Sequence, residues 1–150
     1  MSRRLLIKSS SSKELPSKII FKVLNDTTTL QYNIVGSNIT LKDKDGVILT
    51  SVTSGTLDNI SVNPTTSDDV FTIEAERLTT CSFEYAPRLE KVLEFTVPNK
   101  KTNISSCFNN CNTLTEVRNI SVPESSTLTY FFGLILWFCR LKKFITYNVQ

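Results

Sequence analysis

Four cysteines, Cys81, Cys107, Cys111 and Cys139, come nearest to a chemical motif in this chain. Cys107-x3-Cys111 resembles half of a structural zinc site, which needs four thiolate or imidazole ligands, ordinarily as two close pairs. Cys81 and Cys139 make no second pair, and the chain contains no histidine. Three readings stay open: small buried hydrophobes, which the composition favours, a disulfide, or a metal site. Asp43-x-Asp45-Gly46 opens like a calcium loop, but Ser54 stands at the twelfth position, where a bidentate glutamate would close it. A hairpin turn is the expectation there. Asp68 and Asp69 form a carboxylate pair with no third group nearby in sequence, which suits a solvated loop. Histidine is the usual acid–base residue at neutral pH, and it is absent. No G-x-S-x-G elbow or phosphate-binding glycine loop occurs, and there are only four glycines in all. The expectation is a chain that is not an enzyme, with no catalytic residues, cofactor or bound metal.

The elements that would carry these residues are written most plainly in the second half. Leu89, Val92, Phe95, Val97 and Pro98 recur 25 positions later as Leu114, Val117, Ile120, Val122 and Pro123, and Phe83 recurs as Phe108. A looser third copy runs Leu141, Phe144, Tyr147 and Val149. A fixed period in the twenties marks stacked units, each burying its apolar edge against its neighbours. Each unit is expected to hold a short strand stopped by Pro98 or Pro123, since proline cannot donate to a ladder. The third unit carries an apolar insertion, Gly133–Phe138, that includes Trp137.

The first half reads differently. Residues 1–16 are a basic, serine-rich arm. Residues 17–79 read as roughly six short strands in a small antiparallel β-sandwich. Leu30, Tyr32 and Ile34 alternate with polar residues, Gly36 and Asn38 are expected to turn the chain, and Gly55 to break it again. Residues 80–150 form the repeats. The fold class expected is mainly β. A core for about 60 residues is small, so the first half should lean on the second.

The chain is 150 residues with a formal net charge of +3. Its charges are interspersed after the arm, which excludes the concentrated basic face of a nucleic-acid module. The longest apolar run, Tyr130–Cys139, falls well short of the roughly 20 residues a membrane helix needs. The start of the chain lacks a signal-length apolar core, so the expectation is synthesis in a reducing cytosol.

The string Cys107-Phe-Asn-Asn-Cys111-Asn-Thr-Leu114-Thr-Glu-Val117, followed by Val122-Pro123 and Ser126-Thr127-Leu128, resembles the BspA-like leucine-rich repeat. The resemblance covers residues 80–149 and is best in the middle copy. Ala86 stands in the first copy where the family has cysteine, and Cys139 lies two residues before Leu141 in the third. It implies a solenoid of stacked β-arcs used in surface binding. A β-sandwich feeding such repeats also resembles, in architecture, small fibre, decoration and tail-adhesion proteins of tailed bacteriophages. The function expected is a virion component, made in the host cytoplasm, that docks on other virion proteins or copies of itself and presents a binding surface, with a host-surface receptor as a further partner and with no nucleic acid and no membrane span. The alternative is a bacterial cell-surface adhesin. Arg3, Arg4 and Lys8 are the expected docking cations. Phe131, Phe132, Trp137 and Phe138 are the expected apolar anchors. No cap follows Val149, so another chain is expected to cover that end.

Overall fold

The computed structural model describes residues 15–123 and the strand segments 143–144 and 147–149. The described residues contain strands and no helix. The strands are β1 (Ser17–Val23), β2 (Thr29–Lys42), β3 (Ile48–Ser61), β4 (Phe71–Ala75), β5 (Arg77–Ser82), β6 (Leu89–Thr96), β7 (Glu116–Val117), β8 (Ile120–Val122), β9 (Lys143–Phe144) and β10 (Tyr147–Val149). They join in one open sheet, antiparallel in its first half, with the order β10-β8-β6-β1-β4-β2-β3 along its main path. The fold is therefore mainly β. Strand β1 lies between β4 and β6, so hydrogen bonding runs without a break from the first half into the repeats.

Alternation sets each strand's buried face. In β1, Ser17, Ile19, Phe21 and Val23 are buried and the residues between them are half-exposed. In β2 the buried residues are Leu30, Tyr32 and Ile34, and then Ile39 and Leu41. The buried positions change from even to odd within one continuous strand. Gly36 and Asn38 are where this happens, and they are not a turn. Asn38 takes a left-handed backbone with φ 48°. Gly36 is pressed so closely against β5 that a Cβ there would lie 2.1 Å from the Arg77 carbonyl oxygen. Here β2 passes from pairing with β5 to pairing with β4. Gly55 does not end its strand either: it stands opposite Gly36 in β3 with φ 128°. Two long strands thus replace the four short ones expected, because local kinks mimic the punctuation of turns.

Asp45-Gly46 does make the hairpin between β2 and β3. Gly46 has φ 79°, and its N–H donates to the Asp43 carbonyl at 3.1 Å. Asp43 Oδ1 accepts the backbone N–H groups of Asp45 and Val47, both at 2.9 Å. Its carboxylate closes the turn from within.

One apolar core serves the whole described chain. Ile19, Phe21, Ile34 and Leu41 from the first half share it with Leu89, Phe95, Phe108 and Val117 from the second. Phe83 joins the two sides: its ring lies 5.7 Å from Phe21 and 5.9 Å from Phe108, centroid to centroid.

Candidate interaction surface

The repeat spacing appears in space as a parallel ladder. Lys91 pairs with Glu116, Val92 with Val117, Phe95 with Ile120 and Thr96 with Ser121. Each pair is 25 residues apart in sequence. Segments of the third copy lie beyond these: Glu116 pairs with Lys143 and Val117 with Phe144, while Ile120 pairs with Tyr147 and Val122 with Val149. Strand β6, strands β7 and β8, and strands β9 and β10 are thus spatial neighbours in sequence order.

Contacts between the first two copies extend past the strands. The N–H groups of Cys81, Phe83 and Tyr85 donate to the carbonyls of Asn103, Cys107 and Asn109 at 3.0, 2.6 and 2.9 Å. Side chains stitch the turns: Thr113 Oγ1 donates to the Leu89 carbonyl at 2.8 Å, Thr115 Oγ1 to the Glu90 carbonyl at 3.1 Å, and Asn119 Nδ2 to the Leu93 carbonyl at 3.0 Å. These side-chain bonds add to backbone bonds between the copies, such as that from the Thr115 N–H to the Glu90 carbonyl at 2.8 Å. Inside, Leu89 and Leu114, Val92 and Val117, and Val97 and Val122 are all buried. The Phe83 and Phe108 rings are nearly parallel, with 13° between their planes. Even backbone conformation repeats: Tyr85 has φ 58° and Asn110, 25 positions on, has φ 57°.

The cysteines belong to this interior. Cys81, Cys107 and Cys111 are buried free thiols. The Cys81 and Cys107 sulfurs lie 3.8 Å apart, well beyond bonding distance. Cys111 Sγ donates to the Phe83 carbonyl at 2.9 Å. Burial pushes the Cys107 thiol well above its ordinary pKa, and the neighbouring Cys81 adds to this. Such a thiol is a poor nucleophile. Cys139 lies outside the described residues.

Of the acidic pair, Asp68 is exposed and meets Lys22 at 3.5 Å. Asp69 is buried at 8% exposure. Its carboxylate accepts the Thr65 N–H at 2.6 Å, the Thr66 hydroxyl at 2.7 Å, the Thr65 hydroxyl at 2.8 Å and the Thr66 N–H at 3.3 Å. These bonds, led by that from the Thr65 N–H, hold its pKa far below the usual carboxylate range. A carboxylate so engaged organises its loop. Asp69 therefore differs from the solvated residue expected.

The expected contact residues Arg3, Arg4, Lys8, Phe131, Phe132, Trp137 and Phe138 all lie outside the described residues. The described surface carries several open depressions. One of about 210 Å³ is lined by polar residues, among them Asn33, Ser82, Glu84, Asn103 and Ser105. No cluster of three or more metal-ligating side chains occurs among the described residues. No helix among them is long and apolar enough to cross a membrane.

Sequence reasoning missed two surface features. Val47, Ile48 and Leu49 are consecutive and exposed at 58, 55 and 42%. They were legible only as an apolar run beside a turn, which reads as well for a buried strand. Tyr85 is 59% exposed on a left-handed backbone, a conformation that tyrosine rarely adopts. Its signal was alignment with Asn110. Comparison with protein-family models, with curated proteins and with solved structures found no match to this chain.

Proposed function

We propose that this chain is a non-enzymatic interaction protein, a fibre, decoration or adhesion component of a tailed-bacteriophage virion. On this reading residues 80–150 are leucine-rich-type repeats of the BspA kind, stacked as a short solenoid. Residues 17–79 are a small sandwich-like β unit that anchors the stack, and residues 1–16 are a docking arm. The single observation that carries the reading is the parallel ladder between sequence copies, from Lys91–Glu116 to Thr96–Ser121. A ladder of this kind extends a surface without building a cleft, and surfaces so extended serve binding. The buried thiols agree with a scaffold role.

Mass spectrometry of purified particles, from the phage whose genome encodes the chain, tests the proposal. The chain should be present in stoichiometric amounts and stay with the particles through density-gradient centrifugation. Its absence from particles and recovery in bacterial envelope fractions would replace this reading with a cell-surface adhesin.

A further inference from the structure

The hairpin of β2 and β3 carries the least protected part of the described molecule. Strand β3 ends the sheet order, and β2 is its only strand partner among the described residues. It is 14 residues long, against a usual five or six. From Val47 to Leu57 it contains no charged residue and no proline. Edge strands are ordinarily blunted by lysine, proline, a covering loop or short length. Among the described residues this one has none of these between Val47 and Leu57, and it adds the exposed Val47, Ile48 and Leu49 at its start. A row of unpaired N–H and C=O groups beside exposed apolar side chains is a surface prepared for strand addition.

The sequence of the edge indicates its occupant. Residues 50–54 read Thr-Ser-Val-Thr-Ser, a hydroxyl-bearing pattern that is the same in both directions about Val52. An antiparallel strand bringing the same pattern sets hydroxyl against hydroxyl on both sides of the centre. It also meets no like charge. We infer that two copies of this chain pair through β3, antiparallel, about a two-fold axis at Val52. Val52 then faces Val52 of the second copy. Thr50 faces Ser54 of that copy on one side of the ribbon, and Ser51 faces Thr53 on the other. Leu49 falls opposite Gly55, where nothing but Val52 Cγ1 comes within 4 Å of a Cβ position. The leucine therefore has room to lie down. Such a contact is isologous and closes on itself, so it makes a dimer and covers the β3 edge from Ile48 to Thr56. The inference stands apart from the virion proposal and does not need it.

Light scattering on the full chain provides the test, with a paired charge swap. Ser51 and Thr53 are exposed, so substituting them leaves the core intact. Wild type should have twice the 16.9 kDa mass of one chain. The double variant Ser51→Lys with Thr53→Lys sets lysine against lysine twice and should run as a monomer. Ser51→Glu with Thr53→Glu should do the same. An equimolar mixture of the two should regain the doubled mass. Independently, Val52→Cys should cross-link to itself under oxidised glutathione, while Thr56→Cys, which would face Ile48, should not. A monomeric wild type overturns the inference, including the case in which another protein's strand occupies the edge. So does a dimer that persists in either charged variant, or a mixture that stays monomeric.

Discussion

Tyr85 is the residue most at odds with its backbone. A left-handed conformation costs an L-residue with a bulky side chain roughly 1–2 kcal/mol, and asparagine tolerates it better. The same place in the next copy holds Asn110 at nearly the same φ. Tyr85→Asn should therefore stabilise the fold by about 0.5–1 kcal/mol, seen as a higher urea midpoint with an unchanged slope. An unchanged or lower midpoint would mean that the exposed ring contributes more than its strain removes. Asp69 makes the opposite case, a residue well matched to its place. Its carboxylate pKa is depressed in the folded chain relative to an ordinary value of 3.8. The stabilisation it supplies is thus complete above about pH 4 and is lost as pH falls through the depressed folded value. Asp69→Asn should lower stability at pH 7. It should also flatten the decline of stability between pH 4 and pH 2, because the variant has no carboxylate there to protonate. Urea melts of both proteins at pH 7, 4 and 2.5 check the sign; equal slopes against pH would refute it.

At the scale of elements, the stack depends on aromatic and aliphatic side chains repeating in register. Phe108 contacts Phe83 on one side and Phe95 on the other, with centroids 5.9 and 5.4 Å away. Phe108→Ala should cost about 3–5 kcal/mol, the usual penalty for deleting a buried phenylalanine. Cys111→Ala should cost far less, about 1 kcal/mol, because it removes one sulfur and its bond to the Phe83 carbonyl. The first copy already has Ala86 at this place, buried. Thermal melts of the two variants should separate them clearly; equal losses would show that the thiol does more than fill space. The contrast between β2 and the repeats also shows what kind of element can be read in advance. The repeats advertise themselves because equal spacing brings equal residues to equal depth. Strand β2 conceals its continuity because its buried positions shift by one residue at Gly36–Asn38, and a strand that changes face looks in sequence like two strands and a turn.

At the scale of the molecule, β1 is the member most dependent on both halves. It bonds to β4 on one edge and to β6 on the other. A fragment of residues 15–79 would leave one edge of β1 open and uncover Ile19 and Phe21. It should fail to fold alone, giving a disordered far-ultraviolet dichroism spectrum, while a fragment of residues 15–123 should give a β spectrum and melt cooperatively. A folded, cooperative short fragment would show that the first half has a sufficient core of its own. The size argument from sequence anticipated this dependence; the identity of the joining strands it did not.

Composition and period alone were enough to determine the mainly β character, the 25-residue copies, the hairpin at Asp45-Gly46 and the inward place of Phe83 and Phe108. Each of these follows from interactions between residues close in sequence or from a spacing repeated along it. Tertiary structure decided the rest. It joined β1 to β6, ran β2 through its two kinks and left β3 as an open edge. Those outcomes depend on which distant backbone comes alongside: the Arg77 carbonyl against Gly36, or no strand among the described residues against the outer edge of β3. No local propensity encodes a neighbour that the chain meets only once it has folded.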